Sequence, residues 1–130
     1  VENSYETHKT VLVAEDNIVN RELVSLFLEK RGFEVQVAKN GLQAVQLATA
    51  RHFDLIIMDV SMPEMDGCAA TSLIRQSERE HHSESTPIVA LTAHATQEVR
   101  NECFDVGMND VLVKPVRAGE FFRAIDRFIH

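Results

Sequence analysis

The sequence predicts an α/β fold, a doubly wound parallel sheet of five strands and five helices. Three observations carry this. Short apolar runs, each too short for a typical helix and bounded by turn residues, recur along the 130-residue chain. Longer segments with apolar residues at helical spacing separate them. The two kinds alternate to the end, which implies right-handed crossovers and a parallel sheet between helix layers. The helices of such a sheet cannot all lie on one face, so the chain winds both ways and leaves a switch point between two strands.

Residues 1–9, VENSYETHK, are polar and aperiodic and read as a linker or frayed terminus, leaving 10–130 as the one domain. The first residue is Val1 rather than Met, which points to a fragment of a longer protein or a processed start. Residues 10–14, TVLVA, form the first strand and end on Glu15-Asp16. Asn17 is a good helix N-cap, helical spacing runs from Ile18 to Arg31, and Gly32 closes the helix. Residues 34–38 alternate, as an edge or half-covered strand does. Asn40-Gly41 starts a helix through Leu42, Val45 and Leu47 to about Arg51.

Residues 53–59, FDLIIMD, read as a strand covered on both faces, and the run stops on Asp59. Pro63 ends regular structure and Asp66-Gly67 marks a turn. Ala70, Leu73 and Ile74 give a third helical stripe, and the polar residues 76–86 read as a mobile loop. Residues 87–91 form a fourth strand ending on Thr92-Ala93. Val99, Cys103 and Val106 mark a helix ending at Gly107. Residues 110–113 form the fifth strand, ending on Lys114-Pro115. Ala118, Phe121, Phe122, Ile125, Phe128 and Ile129 form an amphipathic last helix.

Composition narrows the function classes. The chain is 45% hydrophobic and 25% charged, ordinary for a globular protein, with a formal net charge of -7. That charge argues against nucleic acid as a direct partner, because binding it needs basic clusters. Cys68 and Cys103 stand in no CxxC spacing and read as small apolar residues in a reducing compartment. No run has transmembrane length and no signal-peptide pattern opens the chain, so the expectation is a cytoplasmic domain whose parent can still be membrane-anchored. The histidines show no metal-ligand spacing, and His81-His82 reads as solvated.

In a parallel sheet all strand C-termini share one edge, which brings Glu15, Asp16, Asp59, Thr92 and Lys114 together. Each has an ordinary reading: a helix-start acid, a cap, a surface lysine at a turn. Their order at successive strand ends argues for a site instead. Three clustered carboxylates repel one another unless a cation joins them. Hard oxygen donors without cysteine or histidine select magnesium or a similar ion, which two carboxylates and a carbonyl suffice to hold. A phosphoryl group arriving at Asp59 spreads charge over three oxygens. The ion, the Lys114 ammonium and the Thr92 hydroxyl can each take one, with backbone N–H groups after Asp59 and of Ala93 adding to them. Asp59 is then the nucleophile and becomes an aspartyl phosphate.

These residues carry a resemblance. Glu15-Asp16-Asn17, the Asp59-Val60-Ser61-Met62-Pro63 run with Met65-Asp66-Gly67, residues 87–93 (PIVALTA) and Lys114-Pro115 resemble the receiver domain of two-component response regulators over residues 10–130. The resemblance implies a flavodoxin-like fold of strand order 2-1-3-4-5. It implies that Asp59 takes phosphate from a phosphohistidine of a histidine kinase or His-phosphotransfer domain. It implies Mg2+ held by Asp16, Asp59 and the Ser61 carbonyl, with Glu15 acting through water. Lys114 would contact the phosphoryl group, Lys114-Pro115 would be cis, and Thr92 would swing toward the phosphate.

The runs EDNIVNR at 15–21 and TPIVALTAHA at 86–95 are similar to receivers fused to hybrid sensor histidine kinases. Val111 stands where the family commonly has an aromatic, three residues before the lysine. Ser61 and His94, each two residues beyond a site residue, are expected to tune phosphate lifetime. On the first helix Leu23, Val24, Phe27 and Leu28 make one stripe, outside which Ile18, Val19 and Leu26 mostly lie. Val19 and Leu26 belong either to a docking surface for a histidine-bearing helix or to a wider buried arc. Other readings weighed are a flavodoxin-like cofactor binder, which Glu15-Asp16-Asn17 disfavours by repelling a flavin phosphate, a haloacid-dehalogenase-type phosphatase, which Ser61 disfavours by replacing the second acid, and a pseudo-receiver acting only as a binding module.

Overall fold

The structure is a computed structural model and describes residues 8–130, so the expected linker lies almost wholly outside the described residues. Ten elements alternate: β1 (Thr10–Ala14), α1 (Ile18–Lys30), β2 (Glu34–Ala38), α2 (Gly41–Ala50), β3 (Leu55–Asp59), α3 (Gly67–Glu80), β4 (Ile88–Thr92), α4 (Gln97–Asp105), β5 (Asp110–Val113) and α5 (Ala118–Ile125). The strands form one parallel sheet in the order β2-β1-β3-β4-β5. β1 and β3, adjacent in the sheet, are the pair from which the chain winds outward in both directions.

Alternation along the strands divides the core in two. Leu12, Ile56, Met58, Ile88 and Ala90 face one way and pack with Ala44 of α2, Ala70 and Ile74 of α3 and Cys103 of α4. Val11, Val13, Leu55, Ile57, Val89 and Leu91 face the other way and pack with Val24 and Leu28 of α1 and Phe121 and Ile125 of α5. Period-two side-chain direction turns one apolar run into both layers. Central β3 and β4 are buried at every residue, whereas edge strand β2 leaves Val37 exposed. Cys68 and Cys103 are free thiols, and burial pushes Cys68 up to about 12, consistent with an apolar packing role.

Side-chain oxygens cap the helices, at Asn17 and Asn40 where a helix start was expected and at Asp66 where a turn was. Asn17 accepts from Asn20 N–H, Asn40 from Gln43 N–H and Asp66 from Ala69 N–H. Gly32 takes a φ of 84°, the left-handed turn that ends α1.

The structure corrects three expectations. The loop expected over 76–86 is helical to Glu80, because the polar residues stabilise one another there: Arg75 Nη1 donates to Glu78 Oε1 at 2.7 Å and Gln76 Nε2 to Glu80 Oε2 at 3.2 Å. Leu42 and Leu73 face outward, and α2 buries Gly41 and Ala44 instead. The last helix ends at Ile125, and Ile129 reaches the core from a turn beyond it.

Candidate functional site

The C-terminal ends of the strands bring the acids together. Glu15 is buried and Asp16 exposed at the end of β1, and Asp59 is 1% exposed at the end of β3. One carboxylate oxygen from each of the three lies within 4.8 Å of the others. The β1–α1 turn is held by side-chain to backbone bonds: Asn17 N–H donates to Glu15 Oε2 at 3.1 Å, and Arg21 Nη1 donates to the Glu15 carbonyl at 3.1 Å.

Asp59 is asymmetric. Its Oδ1 accepts from the Ser61 N–H at 3.2 Å and from Lys114 Nζ at 3.1 Å. Its Oδ2 is buried with no hydrogen-bond partner. Lys114 also reaches Glu15 Oε1 at 3.4 Å. Gly67 lets the β3–α3 loop close over this point, since a Cβ there would stand 2.3 Å from the Asp59 carbonyl oxygen. The Lys114-Pro115 peptide is cis.

Burial pushes the Glu15 carboxyl up to about 7, and the neighbouring Asp59 carboxylate adds to this, against the pull of the Asn17 N–H and the Lys114 ammonium. For Lys114 burial works downward, but the facing Asp59 and Glu15 outweigh it and its pKa rises. The set is thus a carboxylate cluster with one lysine against it, short of positive charge.

The donor set fits a hard divalent cation. It offers only oxygens, it holds more negative charge than Lys114 balances, and it has a buried carboxylate oxygen lacking a partner.

The remaining expected residues lie close by but are differently engaged. Thr92 is buried at the end of β4, and its Oγ1 donates to the His94 carbonyl and accepts from the His94 N–H, both at 3.2 Å. Its carbonyl accepts from the Lys114 N–H at 2.8 Å, tying the two strand ends together. Ser61 and His94 are exposed beside the acids' loops. Val111 is buried against the α2–α4 layer rather than at the surface. Sequence reasoning included Arg21 in the EDNIVNR run without its bond to the Glu15 carbonyl, and it read Gly67 as a turn residue without its close approach to Asp59.

The family profile described as the response regulator receiver domain matches residues 11–126. The chain belongs to that family. The receiver domain is 41% identical over 88% of its length to hybrid signal transduction histidine kinase B of Dictyostelium discoideum, of which it spans 6%. Among solved structures it is similar to the receiver domain of sensor histidine kinase PA1611 from Pseudomonas aeruginosa, crystallised with a magnesium ion in its active-site cleft, at 38% identity and a TM-score of 0.83, covering 94% of this chain and 98% of that one. It is also similar to a chain of the co-crystal structure of the Saccharomyces cerevisiae histidine phosphotransfer protein Ypd1 with the Ssk1 receiver domain, at 32% identity and a TM-score of 0.87, covering 93% of this chain and 88% of that one. The family decides against the flavin-binding and phosphatase readings. The receiver spans between 4% and 13% of the curated relatives it matches. Among the described residues no helix is long and apolar enough to cross a membrane.

Proposed function

We propose that this receiver accepts a phosphoryl group on Asp59 from a phosphohistidine, within a phosphorelay of the hybrid-kinase type. The observation that carries it is the asymmetry of Asp59, with Oδ1 held by Lys114 and Ser61 and Oδ2 buried without a partner among acids. In the transfer the P–N bond of the phosphohistidine breaks, a P–O bond to the carboxylate forms, and the imidazole leaves. The carboxylate needs no general base.

Asp16, Asp59 and the Ser61 carbonyl are the residues that would hold Mg2+, with Glu15 acting through water. When bound, the ion supplies neutralising charge to the phosphoryl oxygens. The PA1611 receiver, with magnesium in its cleft, supports this. Lys114 contributes a fixed ammonium, and the Ser61 N–H a fixed donor, on the side where charge develops. Thr92 must leave the His94 carbonyl before its hydroxyl can meet the phosphoryl group, so phosphorylation draws on the β4–α4 connection. Ser61 and His94, exposed at the rim, are placed to set how readily water reaches the phosphate.

The phosphodonor docks on α1. Ile18 is 56% exposed, Val19 69% and Leu26 48%, while Val24 and Leu28 of the same helix are buried. Such an apolar face beside the acids suits a histidine-bearing helix, and the Ypd1–Ssk1 complex supports a partner of that class. The parent is a hybrid histidine kinase, cytoplasmic at this domain. The test is transfer from a phosphorylated histidine phosphotransfer domain. Val19→Glu with Leu26→Glu is expected to slow it roughly tenfold, with labelling by acetyl phosphate unchanged. Equal slowing from both donors contradicts the docking face.

A further inference from the structure

The connection between β2 and α2 gives no side chain to the acidic site, yet its backbone touches both segments that carry it. At one end the Ala38 carbonyl accepts from the Glu15 N–H at 3.0 Å. At the other the Gly41 N–H donates to the Met65 carbonyl at 3.1 Å. Glu15 precedes Asp16, and Met65 lies in the β3–α3 loop that carries Ser61.

That loop is closed on itself by backbone hydrogen bonds. Its base is closed by Gly67 N–H to the Val60 carbonyl at 2.9 Å. Its tip is folded by Met65 N–H to the Pro63 carbonyl at 2.7 Å, with Glu64 between them in the left-handed region at φ 70°. Met62 and Met65 pack against the α2–α4 core layer. Met65 and Ser61 therefore lie in one hydrogen-bonded loop. The strap is stiff at its own end too, where Lys39 N–H donates to Gln43 Oε1 and Gln43 N–H to Asn40 Oδ1, both at 2.8 Å. Contact with the loop leaves no slack: a Cβ on Gly41 would stand 2.1 Å from the Met65 carbonyl oxygen and 2.8 Å from its carbon.

We propose that residues 38–41 are a positioning strap that sets the distance between the Glu15-Asp16 turn and the Ser61 loop, and so tunes cation affinity without touching the cation. The inference rests on the phosphoacceptor reading, in which Asp16 and the Ser61 carbonyl share the ion. Supporting groups around a metal's ligands change affinity substantially when altered.

The test is magnesium titration by calorimetry on the protein, Gly41→Ala and the control Gly119→Ala, whose added Cβ meets nothing closer than Arg123 Nη1 at 3.7 Å. Gly41→Ala is expected to raise the magnesium dissociation constant roughly tenfold, and Gly119→Ala to leave it unchanged. In the unsubstituted protein magnesium is expected to slow hydrogen exchange at the Gly41 amide. A Gly41→Ala protein that binds magnesium as tightly as its parent overturns the strap alone. If that variant does not fold, exchange decides: an unaltered Gly41 amide while those of Asp16 and Ser61 respond overturns it. A parent that binds no magnesium contradicts the phosphoacceptor reading itself and takes the strap with it.

Discussion

Lys114 Nζ stands 3.1 Å from Asp59 Oδ1 and 3.4 Å from Glu15 Oε1, so one ammonium from the end of β5 bridges two buried acids from β1 and β3. Among the described residues no other basic side chain forms an ion pair with either acid. Lys114→Met keeps the aliphatic stem and removes the charge. The loss is expected to be on the order of 2 kcal/mol, less than for a fully buried pair because Lys114 retains some solvent. Magnesium takes over part of the neutralisation, so the deficit shrinks when it is added. Urea unfolding of parent and variant, with and without magnesium, checks both statements. A deficit that magnesium leaves unchanged counts against a shared site.

Glu15 carries a pH signature. Its pKa in the folded protein is about 7, above its ordinary value, because burial and Asp59 favour the protonated form. Between the ordinary value and about 7 the folded protein holds more proton at Glu15 than the unfolded chain does, so without metal this group's contribution to stability falls as pH rises through that window. Glu15→Gln removes the titration and is expected to flatten that part of the profile. Magnesium favours the ionised carboxyl, so its binding releases protons near pH 7 and tightens as pH rises. Thermal unfolding against pH for parent and Glu15→Gln, and calorimetry in buffers of different ionisation enthalpy, read these out.

Arg75 is a buried linchpin outside the site. Its Nε and Nη2 donate to the Gly107 carbonyl at 3.0 and 2.8 Å, Nη2 also to Asn109 Oδ1 at 3.1 Å, and Nη1 to Glu78 Oε1 at 2.7 Å. Asn109 Oδ1 in turn accepts from the Ile88 N–H and Glu78 Oε2 from the Thr86 N–H. The guanidinium thus joins α3 to both turns flanking β4 and β5. Arg75→Met strands several of these acceptors and is expected to cost roughly 3 kcal/mol, read by urea unfolding, with magnesium affinity unaltered.

That network shows where sequence reasoning stops. Strands were legible because an unbroken apolar run such as LIIM at 55–58 has one economical explanation, and their ends were marked by acids, Thr92 and Lys114. The place of Val19 and Leu26 outside the α1 stripe was legible, but the sequence left open whether they were exposed or buried on a wider arc, and the structure exposes them. Arg75 was not, because an arginine on a helix reads alike whether it reaches water or a buried carbonyl. The same blindness turned the Glu-rich end of α3 into a loop. The Thr92 hydroxyl was expected to swing toward a phosphoryl group, but its resting partner, the His94 backbone, is a rotamer choice that no pattern records. Likewise Asn40-Gly41 announced a helix start, while the contact of Gly41 with Met65 depends on a loop from another part of the chain.

The central claim is that Asp59 is the phosphoacceptor in a cation-dependent site. Intact mass after incubation with acetyl phosphate, with magnesium and with a chelator, on this chain and on Asp59→Asn, tests it most directly. The account predicts addition of one phosphoryl group to the parent in magnesium, little with chelator and none on the variant. Equal labelling of Asp59→Asn, or labelling indifferent to magnesium, contradicts it.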